Sequence, residues 1–112
     1  MIGIKPIQIA QKYIEVAEKG NKEEIMNLYD NDGVLIDFEG NKHEGKSEII
    51  KFYNRPLPPN FKLEILDIKE MDNYRVEAVV KATWNGQETP QVLKEVVTLK
   101  NGKVKEFQMN LI

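Results

Sequence analysis

The sequence predicts an α+β fold, with three amino-terminal helices packed on a strongly curved, mainly antiparallel sheet. Three observations carry that expectation. Apolar residues recur at helical spacing only before Asn54. After Asn60 come four long segments rich in β-branched and apolar residues, Phe61 to Met71, Tyr74 to Trp84, Thr89 to Leu99 and Lys103 to Ile112. Between them stand Asp72-Asn73, Asn85-Gly86 and Asn101-Gly102, and Asn-Gly marks a hairpin because both turn residues take positive φ. At 112 residues the chain reads as one domain, 1–112, large enough to bury a core without covalent staples.

Taken in order, residues 5 to 19 place Ala10, Tyr13, Ile14 and Ala17 on one helical stripe, with Pro6 in the first turn and Gly20 as a stop. Asn21 followed by Glu24 starts a shorter second helix, which carries Ile25, Met26, Leu28 and Tyr29 until Asp30-Asn31-Asp32-Gly33 breaks it. Val34-Leu35-Ile36-Asp37-Phe38 then reads as a strand with Leu35 and Asp37 on one face. Glu39 to Lys42 is a turn, and His43-Glu44 a brief return strand whose histidine is expected on the surface. Gly45 leads into a third helix through Ser47, Ile49, Ile50, Phe52 and Tyr53, which Pro56, Pro58 and Pro59 end. In the next strand the apolar phase changes between Ile65 and Leu66, predicting a bulge that curves the sheet.

Composition excludes several function classes. Sixteen basic and eighteen acidic side chains leave a formal charge of -2, and no Lys/Arg cluster offers a nucleic-acid footprint. With one histidine and no cysteine, a transition-metal site is not expected; neither is a disulfide, which suits a reducing cytoplasm. A Gly-rich phosphate loop, a signal segment and a membrane-spanning apolar run are all missing from the pattern.

A curved sheet covered by helices encloses a pocket, and alternation says which residues face it. Val76, Ala78, Val80, Ala82 and Trp84 share one face of their strand. On the next, Leu93, Val97 and Leu99 share a face with Glu95 between them, and a carboxyl in an apolar row is expensive to ionise. Phe107, Met109 and Leu111 complete the wall, with Lys105 at the mouth. The predicted pocket thus comprises Phe52, Ala78, Val80, Leu93, Val97, Phe107, Met109 and Leu111 around Asp37, Glu95 and Tyr13.

The chain resembles the ketosteroid isomerases of the nuclear transport factor 2-like, SnoaL-like superfamily. The resemblance rests on Tyr13-Ile14-Glu15, Gly20, Leu28-Tyr29 with Asp30 and Asp32, Asp37, Gly45, Phe52-Tyr53 and Trp84-Asn85-Gly86-Gln87, in order over nearly the whole chain. It implies a cone-shaped fold and an isomerase that moves a double bond in a 3-oxosteroid or similar apolar enone without a cofactor. Asp37 would be the general base and Tyr13 the phenol that donates to the dienolate oxygen. Glu95 would be a protonated second donor, with Tyr29 and Tyr53 as a supporting hydrogen-bonded set. The chain departs from the family at Glu95, where aspartate is usual, at Phe38, where proline is common, and at Leu111, where one branch has tryptophan. It further implies a homodimer built through the sheets, for which Leu66, Ile68, Val79 and Val96 are the expected contact residues. Two other readings stand beside it: a polyketide cyclase or hydrolase in which an ionised Glu95 and Asp37 activate water, and a non-catalytic small-ligand domain.

Overall fold

A computed structural model describes residues 5–112. It contains helices α1 (Pro6–Glu18), α2 (Lys22–Leu28) and α3 (Lys46–Tyr53), and strands β1 (Tyr29–Ile36), β2 (Lys42–Glu44), β3 (Lys62–Asp72), β4 (Arg75–Thr83), β5 (Gln91–Lys100) and β6 (Lys103–Leu111). The strands form one mixed sheet in the order β2-β1-β6-β5-β4-β3, antiparallel throughout except for the parallel pair β1 and β6. Helix α1 packs on β3 and β4, and α3 on β1 and β2. This is the expected α+β cone, three helices on a curved, open sheet.

Local chemistry explains most boundaries. Pro6 opens α1, where its missing N–H costs nothing, and Gly20 leaves it at φ +68°, a conformation open to a residue without Cβ. The Asn21 side chain accepts the Glu24 backbone N–H at 3.2 Å and caps α2. Asn101 and Gly102 have φ of +53° and +77° and join β5 to β6 in the two-residue turn that Asn-Gly predicts. Leu66 is the extra residue of a β3 bulge, since Ile65 pairs with Val80 and Asp67 with Val79.

Four expectations need correction. Helix α2 ends at Leu28, just before Asp30-Asn31-Asp32-Gly33, but Tyr29 and that run already lie inside β1, whose register against β6 slips between Tyr29 and Val34. Lys105 holds the irregular stretch, 3.6 Å from Asp30 and donating to the Asp32 carbonyl at 3.3 Å, so it does not stand at the pocket mouth. The strand ends at Ile36 and leaves Asp37 and Phe38 in the following turn. Asn85-Gly86 sits within a longer connection, 84–90, because β5 starts only at Gln91, after Pro90.

The core gathers Tyr13, Val16, Ile25, Tyr29, Leu35, Ile49, Val76, Val97, Val104 and Phe107 between the helices and the sheet. Ile14, Ala78 and Val80 form a second group beneath α1, against Leu63, Ile65 and Ile68. Ile68, expected on the outer face, is therefore inward, because the bulge shifts the phase of β3 after Leu66. The outer face keeps Leu66 half exposed and carries Glu77 between Lys69 at 4.0 Å and Lys94 at 3.5 Å.

Gly33 marks a close approach: a Cβ there would stand 2.6 Å from Tyr29 Cδ1 and 3.0 Å from the Asp30 carbonyl oxygen. Gly33→Ala is expected to lower stability in urea unfolding by about 1–3 kcal/mol, because the backbone cannot move aside without breaking the β1–β6 ladder.

Candidate functional site

Three elements deliver one tyrosine each to a shared point. Tyr13 comes from the buried face of α1, Tyr29 from the junction of α2 with β1, and Tyr53 from the last turn of α3. The Tyr13 hydroxyl shares hydrogen bonds with those of Tyr29 at 2.6 Å and Tyr53 at 2.5 Å. Its ring stacks on Phe107 of β6, centroids 4.2 Å apart and planes 17° from parallel. Three hydroxyl protons serve two bonds, so one O–H remains to donate elsewhere. If Tyr29 and Tyr53 both donate to Tyr13, that O–H is Tyr13's own, polarised by the two bonds it accepts. Burial, and then the nearness of Tyr29 and Tyr53, raises the Tyr13 phenol well above its ordinary value. Burial raises Tyr29 and Tyr53 as well, and all three are neutral donors at physiological pH.

Glu95 is 4% exposed on β5, flanked across the sheet by Ala78 and Met109. Its Oε1 has no hydrogen-bond partner among the described residues. Burial pushes its pKa from 4.5 to about 8, so at neutral pH it is a carboxylic acid with a proton to offer.

Tyr13, Tyr53 and Glu95 all border one cavity of about 830 Å³, within the range that holds a small organic ligand. Of the predicted wall, Phe52, Leu93, Phe107 and Met109 line it. Ala78, Val80, Val97 and Leu111 do not. The first two are sealed beneath α1 and Val97 is packed in the core, while Leu111 is half exposed at the end of β6. Alternation identified the right face, but α1 covers one end of it and the cavity opens at the other. Ala82 and Trp84, placed on the inward face by alternation, do line it, whereas sequence reasoning missed Phe61, Leu57 and Arg55. The Pro56-Leu57-Pro58 run was the available signal, since it lays the loop after α3 across the opening.

Asp37 is the main correction. It is buried but is not among the cavity-lining residues. Its Oδ1 accepts the backbone N–H groups of Glu39 at 2.9 Å and Asn41 at 3.0 Å, and its Oδ2 lies 2.9 Å from His43 Nε2. Burial pushes the carboxyl up, but the His43 hydrogen bond and the two backbone donors outweigh it and hold the group below its ordinary value. Asp37 is thus an ionised carboxylate that organises its own turn. His43, expected on the surface, is its partner and packs beside Phe52, ring centroids 5.3 Å apart. Among the described residues no three of His, Cys, Asp and Glu gather to hold a metal ion, and no helix is long and apolar enough to cross a membrane.

The profile of the SnoaL-like domain matches residues 10–107. The chain belongs to that family. No curated protein matches it. Among solved structures, this SnoaL-like domain is similar to a protein from Sphaerobacter thermophilus, 17% identical at a TM-score of 0.84 with 98% of each chain covered. It is also similar to a Kribbella flavida protein provisionally named a ketosteroid isomerase, 16% identical at a TM-score of 0.83 over 96% of this chain and 77% of that one. A Sinorhizobium meliloti protein provisionally named a polyketide cyclase is 17% identical at a TM-score of 0.76, over 92% and 94% of the two chains. At such identities the likeness is one of fold, the nuclear transport factor 2-like cone.

The raised pKa of Glu95 has a thermodynamic signature. The native state keeps a proton that the unfolded chain releases near pH 4.5, so this group's contribution falls as pH rises from about 4.5 to about 8 and is level above that. Glu95→Gln removes that dependence. Measured by urea unfolding, the variant should gain on the parent by about 1.4 kcal/mol per pH unit across the window; parallel curves would show that Glu95 ionises freely in the fold.

Proposed function

We propose that the protein is an isomerase that shifts a carbon–carbon double bond by intramolecular proton transfer in a 3-oxosteroid or similar apolar cyclic enone. The observation that carries the reading is an unpartnered neutral acid, Glu95, bordering the same apolar cavity as a tyrosine set with one O–H to spare. Removing a proton beside a carbonyl builds charge on its oxygen, and fixed donors in a water-poor site stabilise that charge without having to reorganise. In this proposal Tyr13 and Glu95 donate to the dienolate oxygen, while Tyr29 and Tyr53 hold Tyr13 in place.

Asp37 is the proposed base. It is ionised and precedes Phe38, which lines the cavity. To reach a substrate it must exchange its His43 hydrogen bond for one to the reacting carbon's proton. The same engagement supports a second reading, a domain that binds the ligand through its oxygen without turning it over. Cyclase or hydrolase chemistry, which needs an ionised Glu95 beside Asp37, gains no support from a protonated Glu95. A homodimer formed through the outer sheet face belongs to the proposal too; a monomer in sedimentation at about ten micromolar would contradict it.

Incubation with a β,γ-unsaturated 3-oxosteroid, followed by ultraviolet absorbance, should show the conjugated product. Tyr13→Phe should lower kcat by about a hundredfold with a much smaller effect on KM, and Asp37→Asn should abolish turnover. Retained binding of a phenolic steroid with no conversion would establish the second reading, and turnover indifferent to Asp37→Asn would place the base elsewhere.

A further inference from the structure

We propose that the cavity takes an amphipathic ligand: an apolar ring body with one oxygen at the Tyr13 and Glu95 end and an anionic group, a carboxylate or a sulfate, at the mouth. The inference rests on the reading of the deep end given above and adds the other end of the ligand. The mouth forms where the connection between α1 and α2 faces the loop that follows α3. Lys19 and Lys22 line it from the first side and Arg55 from the second.

The two sides are held against each other by apolar contact. A Cβ placed on Gly20 would stand 3.1 Å from Leu57 Cδ1, so the glycine lets the Pro56-Leu57-Pro58 segment close onto the end of α1. The same loop is tied to the connection between β4 and β5, where the Asn85 N–H donates to the Pro59 carbonyl at 2.9 Å. Arg55 lies with its guanidinium carbon 5.8 Å from the centre of the Phe52 ring, which keeps the charge against the cavity wall. Lys19 has Glu15 at 3.3 Å, whereas Lys22 and Arg55 have no ion-pair partner among the described residues.

Charge balance gives the sign. The one acidic side chain among the described lining residues is Glu95, and it is neutral. Lys19 is balanced by Glu15, so two unbalanced cations, Lys22 and Arg55, border a cavity in a chain whose formal net charge is -2. A neutral ring compound would use the wall and the deep donors and leave these cations idle. A ligand with an anionic far end uses both, whereas a sulfate at the deep end would bring a bulky full charge out of water with neutral donors and no cation beside it.

Trp84 lines the cavity and is the one tryptophan of the chain, so its fluorescence reports occupancy. The probes are estradiol, estradiol sulfated on the ring-D hydroxyl, and estradiol sulfated on the phenol. Near neutral pH and low salt, the ring-D sulfate should bind about five- to tenfold tighter than estradiol, as a few partly exposed charge pairs allow. That advantage should shrink in about 1 M salt and close in Lys22→Gln with Arg55→Gln, while the phenol sulfate should bind weakest. Equal binding of estradiol and its ring-D sulfate, or an advantage that survives both substitutions, overturns this inference and leaves the deep-end reading intact. No change in Trp84 emission with any of the three overturns both.

Discussion

The meeting of three tyrosine hydroxyls at Tyr13 is the constraint on which the rest of this structure depends. Each hydroxyl belongs to a different helix or helix end; Tyr13 and Tyr29 are buried and Tyr53 is partly buried beside the cavity, so they rely on one another as hydrogen-bond partners. Leaving a buried polar group unpaired costs about 1–3 kcal/mol, so α1, α2 and α3 must arrive together. The stack of Tyr13 on Phe107 then fixes the helical layer against β6. One arrangement thus sets the depth of the cavity and leaves an O–H at its floor.

The cavity floor and its mouth follow opposite electrostatic rules. At the floor, burial keeps Glu95 protonated and the tyrosines neutral, so polar groups persist there as donors without charge. At the mouth, lysine and arginine heads reach water while their stems line apolar wall. Between them run Phe52, Leu93, Phe107 and Met109. Asp37 obeys neither rule. Its donors are backbone N–H groups of its own turn and His43, and they keep it ionised although little of it meets solvent.

Secondary structure was legible wherever one residue type has one conformational role. Pro6, Gly20 and Asn21 bound α1 and α2 as their backbone and side-chain chemistry requires, and Asn101-Gly102 makes its tight turn. The bulge at Leu66 was legible as a phase error in an apolar strand. Asp30 to Gly33 interrupts the β1–β6 pairing without ending the strand, because the ladder holds at Tyr29 and resumes at Val34 while Lys105 reaches Asp30 and the Asp32 carbonyl. Local preference does not report such long-range partners.

The sequence by itself determined the fold class, the inward faces of β4 and β5, and the burial of Tyr13 and Glu95, because period-two and helical patterns encode which side meets the core. Tertiary structure decided how that face is divided. Helix α1 seals Ala78 and Val80 while Leu93 and Met109 stay open to the cavity, and the loop after α3 brings Arg55 and Leu57 to the rim. It also decided Asp37, since a single residue past the end of β1 is enough to trade a place on the strand's inner face for a turn closed by His43. Periodicity describes a strand only while the ladder lasts, and where the ladder stops is set by partners distant in sequence.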